Sequence, residues 1–174
     1  ILVPSVRKAA EYLRQFKFEI GEEESFEETK EIYVQGSERN SLLLMEPKGS
    51  GSYQRAIKKR GPGLHHLAVD VLDLEEFLES ISGSGWFLHL NSIKTIKSYQ
   101  TAYLARPGFP ALVEVQEKKK LMEGPLFVKG ITLKFDADHA PLVKAVGLDK
   151  ILKLSSEKSF LSLQGQDIEL KKLF

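Results

Sequence analysis

The stretch GPGLHHLAVDV, residues 61 to 71, sets two of the chain's four histidines side by side where a glycine-punctuated loop enters an apolar strand. A neutral imidazole is the commonest metal ligand and a ready proton carrier. Neighbouring strand residues point to opposite faces. One histidine of the pair can therefore face a ligand, and the other, His65, is expected to be structural. Just upstream lies QRAIKKRG, residues 54 to 61. Its Arg55, Lys58, Lys59 and Arg60 could meet phosphates, or simply form a solvated face.

The composition narrows the chemistry. The 174 residues make one ordinary domain, or small modules sharing a core. A net charge of +1 gives no field that would favour nucleic acid or a membrane surface. With no cysteine, disulfides, thiolate-bound zinc and thiol catalysis are excluded. No apolar run approaches the ~20 residues of a membrane span, and no signal peptide is visible. The expectation is a soluble cytoplasmic protein.

The elements that must position the histidines follow a pattern that recurs. ILV reads as the end of a strand, Ser5 as a helix cap, and Val6, Ala9, Ala10 and Leu13 as one helical face. KEIYVQ and SLLLME read as strands around the turn GSERN, residues 36 to 40, with a short helix over Tyr53 to Lys59. HLAVDV then reads as a strand, and Asp73 with Glu76 as a capping box. Leu74, Phe77, Leu78 and Ile81 form the next helical face, and YQTAYLA and ALVEVQ the next strands. A third, partial copy is expected after the linker EKKKLMEGP. It comprises the strand VKGITLKF, a short helix capped by Asp138, and a meander of KILKLSS, SFLSLQ and DIELKKL. A strand–helix–strands unit that repeats decides the fold more than any local propensity does. The expected organisation is α+β, with paired βαβββ modules. The first spans 1–60, the second 61–117, a linker 118–126 and a partial third module 127–174.

The segment LLLMEPKGSGSYQRAIKKRGPGLHHLAVDVLDLEEFLESI resembles the vicinal-oxygen-chelate (glyoxalase/bleomycin-resistance) superfamily, and within it the methylmalonyl-CoA epimerases. The shared order is a strand ending in Glu-Pro, a Gly/Ser loop, a short helix, Gly-x-Gly-x-His-His, a strand and an Asp-led helix. The resemblance covers residues 1 to 117.

The resemblance implies a metal site and a reaction. His66, the second histidine of the pair, and Glu114 in ALVEVQ fall at metal-ligand positions. Glu31 in KEIYV, together with Glu114, falls at a position that handles the substrate proton. The ligand of the first module falls at Leu43, which offers no donor, and the first module's histidine would sit about three residues before Ile1. The implied cofactor is a divalent metal (Co, Zn, Ni, Mn or Fe), with absence of the metal as the counterpart reading because of Leu43. The implied activity is a metal-dependent isomerase acting by proton abstraction next to a carbonyl. Its implied substrate is a small molecule of the acyl-CoA kind, and its implied assembly a homodimer. Two alternatives remain open. One is a glyoxalase-type lyase or non-haem iron dioxygenase. The other is a metal-free small-molecule binding protein of the resistance type. In the third copy Gly130 falls at the place of His66 and Glu169 at that of Glu114, which implies a structural role. His89 and His139 read as surface residues.

Overall fold

The computed structural model describes residues 1–35 and 39–174. Most of the expected turn, residues 36–38, lies outside the described residues. In chain order the first elements are α1 (Val6–Arg14), β1 (Glu19–Ile20), β2 (Glu24–Ser25), β3 (Thr29–Gln35), β4 (Leu42–Pro47) and α2 (Ser52–Arg60). There follow β5 (His66–Val71), α3 (Leu74–Ser80), β6 (Phe87–Leu88), α4 (Ser92–Tyr99), β7 (Thr101–Ala105) and β8 (Leu112–Glu117). The last part holds β9 (Val128–Lys134), α5 (Ala140–Ala145), β10 (Leu152–Ser155), β11 (Phe160–Leu163) and β12 (Gln166–Glu169). Among the described residues these strands form three four-stranded sheets. The mixed architecture is the α+β one expected from the repeats.

The chain divides into two compact units. The first comprises 1–63, 123–140 and 149–174, and the second 64–122 and 141–148. In the first, α1 forms because Ser5 caps it through Lys8 N at 3.4 Å and Val6, Ala9, Ala10 and Leu13 line one buried face. Residues 1 to 3 run parallel to β4, with Met45 N donating to Ile1 O at 2.8 Å and Val3 N to Met45 O at 2.9 Å. The module's first strand thus lies beside its last. β3 pairs antiparallel with β4, β1 and β2.

The second unit repeats this connectivity. Its sheet runs β5-β8-β7-β6, with β5 and β8 parallel and the other pairs antiparallel. Val113, Val115, Ala102 and Leu104 are buried on one face, which leaves Glu114, Gln116 and Tyr103 on the other. Asp73 caps α3 through Glu76 N at 2.8 Å, as its sequence position predicts. A further likeness joins the modules. Glu46 Oε2 on β4 accepts from Val6 N at 3.1 Å, and Glu117 Oε2 on β8 accepts from Leu74 N at 3.0 Å. In each case the carboxylate ending the last strand satisfies the first amide of that module's helix, where negative charge is favoured.

Helix α4 is absent from the sequence reading. Its apolar side chains give no continuous inward face, since Ile93 and Tyr99 are exposed and Ile96 is half-buried. It is held instead by polar contacts. Ser92 Oγ donates to Tyr103 O at 3.0 Å and accepts from Tyr103 N at 2.8 Å, and Thr95 Oγ1 donates to Thr101 O at 2.6 Å.

The C-terminal part keeps the order strand, helix, strand, strand, strand but changes the sheet. Its strands run β10-β9-β11-β12, with β10 parallel to β9 and only β11 and β12 forming a hairpin. The expected meander does not form. β12 lies two strands from β9, so Glu169 and Gly130 do not stand as Glu114 and His66 do. Asp138 does not cap the short helix but lies within a 3-10 turn, Ala137–His139, that leads into α5 and is itself capped by Asp136, which accepts from Asp138 N at 3.0 Å. Asn40 ties this segment to the first sheet's loop, accepting from Phe127 N at 2.8 Å and Val128 N at 3.0 Å and donating to Val128 O at 3.0 Å.

Candidate functional site

His66 opens β5 and Glu114 sits on the adjacent parallel strand β8. Their register explains why they meet. Ala68 is the partner of Glu114, and His66 lies two residues before Ala68, on the same face. His66 Nε2 stands 3.5 Å from Glu114 Oε2, and both side chains are mostly buried, at 18% and 14% exposure. Burial holds the His66 ring neutral by lowering its pKa below the ordinary value, and the Glu114 carboxylate offsets part of that shift.

Two further side chains touch the pair. His65, expected as a strand residue facing away, stays in contact with its neighbour. It precedes the strand, its carbonyl accepts from Leu112 N at 2.9 Å, and its Nδ1 lies 3.1 Å from His66 Nδ1. The rings meet edge to face with centroids 5.4 Å apart. With a proton on His66 Nδ1 shared toward His65, the lone pair of His66 Nε2 faces Glu114. Gln116, not singled out from the sequence, donates from Nε2 to Glu114 Oε1 at 2.6 Å. Its signal was its place two residues after Glu114, on the same strand face.

Glu31 lies on β3, in the first unit's sheet, half-buried and opposite Met45. It accepts from Thr29 Oγ1 at 2.7 Å, and Thr29 is itself buried. Leu43, also half-buried, faces Tyr33 across the same sheet. The basic run falls on α2, where Arg55, Lys58, Lys59 and Arg60 are exposed. Three of these occupy its last turn, where positive charge complements the helix dipole. His89 is half-buried and accepts from Asn91 N at 3.3 Å, and the His139 ring packs edge-on against Phe135.

The donors can be tested against a metal. Two ligand atoms about 2.0–2.2 Å from a tetrahedral ion are roughly 3.3–3.6 Å apart. The His66–Glu114 separation matches that edge and exceeds a good hydrogen bond. A neutral imidazole and a carboxylate suit a divalent transition metal. As two members of a ligand set they fit. Among the described residues no group of three or more His, Cys, Asp or Glu gathers in a metal-holding arrangement.

Solved structures share this architecture. A hypothetical protein from Bacillus halodurans superposes with a TM-score of 0.55 at 25% identity, over 71% of this chain and 94% of that one. Methylmalonyl-CoA epimerase from Mycobacterium tuberculosis gives 0.50 at 20% identity, over 67% and 82%. The fold is shared with methylmalonyl-CoA epimerase. The trypanothione-dependent glyoxalase I of Leishmania major also matches, at a TM-score of 0.28 and 15% identity over 68% and 83%, too distant to add to the argument. No family model and no curated protein matches the sequence.

The repeated strand–helix–strands connectivity lets the two modules be compared position by position. Leu2 lies beside Met45, three residues before the cap Ser5, and Asp70 lies beside Gln116, three residues before the cap Asp73. Met45 therefore corresponds to Gln116, and Leu43 to Glu114. By the same count the counterpart of His66 falls three residues before Ile1.

Proposed function

We propose that this chain is a metal-dependent isomerase of the epimerase type, moving a proton on the carbon next to a carbonyl of a small acyl-CoA or related compound. One observation carries the reading. His66 and Glu114 converge on a shared sheet face at a separation a divalent metal would bridge. The fold shared with methylmalonyl-CoA epimerase supports it. His66 and Glu114 would hold the metal. When bound, the metal supplies positive charge that stabilises the negative charge developing on the carbonyl oxygen. Burial keeps His66 neutral and so able to donate its lone pair. Glu31, held by the Thr29 hydroxyl, is the carboxylate that the resemblance to the epimerases assigns to the α-proton. Glu114 is the second carboxylate available for proton return.

A second reading rests on Leu43 and Met45, which make the corresponding face of the first sheet apolar. It assigns the chain to metal-free binding of a small molecule. Metal content of the purified full-length protein, measured by mass spectrometry beside His66→Ala, separates the two. About one divalent metal per chain, lost in the variant, supports the isomerase. α-Proton exchange on acyl-CoA substrates in heavy water then tests the chemistry. A wild-type protein that stays metal-free after reconstitution gives the binding reading precedence.

A further inference from the structure

Gln116 touches the candidate ligand directly. Its Nε2 donates to Glu114 Oε1 at 2.6 Å, while the other oxygen, Oε2, is the one near His66. The two residues are two apart on β8 and so stand side by side on one face. Gln116 is half-buried, opposite Asp70 on β5 and Thr101 on β7. The amide occupies one carboxylate oxygen and leaves the other toward the imidazole.

The repeat supplies an independent observation. In the first module the corresponding pair is Leu43 and Met45, both hydrocarbon or thioether. The amide is present where the carboxylate is present, and both are missing together. A residue that only filled space at this position could be methionine, as Met45 is, at 2% exposure.

We infer that Gln116 is a positioning residue that fixes the Glu114 carboxylate with Oε2 toward His66, so that it offers one oxygen to a divalent cation held between the two. The inference rests on the metal reading proposed above. A free carboxylate samples several rotamers and can turn both oxygens toward a cation. One held by an amide is ordered in advance, and partners of this kind tune metal affinity.

The test uses the full chain with Gln116→Met, the residue of the sister module, and Gln116→Ala. Co(II) and Zn(II) affinity is measured by competition with a chromophoric chelator. The visible spectrum of the Co(II) form and thermal unfolding are recorded alongside. Both variants should fold, keep the wild-type stoichiometry and bind metal about 10–100-fold more weakly. Their Co(II) absorption should change in intensity as the carboxylate turns toward two-oxygen coordination. Affinity and spectrum equal to wild type overturn the inference while leaving the metal reading intact. Loss of folding in both variants assigns Gln116 a structural role and overturns it too. His66→Ala serves as the control for the underlying reading. If wild type binds no metal, or His66→Ala binds as wild type does, the metal reading falls and the positioning role with it.

Discussion

Leu43 stands on the last strand of the first module where Glu114 stands on that of the second. The same scaffold position carries a half-buried hydrocarbon once and a half-buried carboxylate once. A carboxylate at 14% exposure is costly unless its oxygens are satisfied. Here Gln116 satisfies one oxygen and His66 approaches the other. The strand does not need the charge, as Leu43 demonstrates, so the charge calls for a functional account.

Replacing Glu114 with Leu should therefore leave the fold intact. Because His66 is neutral, the substitution strands no buried charge. Urea unfolding should shift by no more than about 1 kcal/mol. Metal retention, measured on the same preparations, should be lost. Destabilisation of several kcal/mol would make Glu114 a structural residue instead.

Glu31→Gln should keep the shape and hydrogen-bonding capacity of the side chain while removing its basicity. On the proposed mechanism, α-proton exchange should slow by about 10²–10⁴-fold, with metal content unchanged. Full exchange in this variant would remove Glu31 from the reaction.

The pH dependence of stability should carry the mark of His66. Its folded-state pKa lies below the ordinary 6.5, chiefly through burial, whereas in the unfolded chain it returns to about 6.5. Between the two values the unfolded chain binds a proton that the folded chain does not, so stability rises with pH. Above 6.5 both states are neutral and the contribution is flat. Metal-free protein should thus lose stability as pH falls through about 6.5, and His66→Gln should lose less over the same window. Parallel denaturant curves at several pH values, with chelator present, would decide it.

Much of the fold was legible because its signals are local. Ser5 and Asp73 cap helices where their positions predicted, and the two apolar helical faces gave the repeat away. What escaped depends on partners distant in sequence. Helix α4 is held by Ser92 and Thr95 bonding to the next strand, with Ile93 and Tyr99 exposed, so periodicity could not find it. The sheet order of the C-terminal strands depends on which edge of β9 takes β10, which no strand pattern encodes. At the candidate site, the motif order singled out His66 and Glu114, whose side chains approach to 3.5 Å. The turn of His65 back onto His66 and the hold of Gln116 on Glu114 needed coordinates.

The paired carboxylates ending β4 and β8 should act alike. Glu46 bonds Val6 N and pairs with Lys30 at 3.4 Å, and Glu117 bonds Leu74 N and accepts from Gln100 Nε2 at 2.9 Å. Glu46→Ala and Glu117→Ala should each cost about 0.5–2 kcal/mol, the range for a lost helix cap. Their effects should be additive, since they act on different helices in different units. A double variant markedly more or less stable than the sum would show that the two modules share more than a design.

Asn40 should be the most sensitive polar residue of the first unit. Its side chain makes three bonds to the backbone of Phe127 and Val128, and Phe127 is fully buried. Asn40→Ala leaves two amides and a carbonyl without partners beside a closed core. The cost should be about 2–3 kcal/mol. Asn40→Asp keeps the acceptor for both amides but sets a carboxylate oxygen against Val128 O in place of the donor, so its cost reports on the donor position alone. Equal losses in the two variants would mean that the donor, rather than the paired acceptor, anchors the start of β9. Hydrogen exchange at Phe127 and Val128 reads the difference directly, because only Asn40→Ala should expose those two amides.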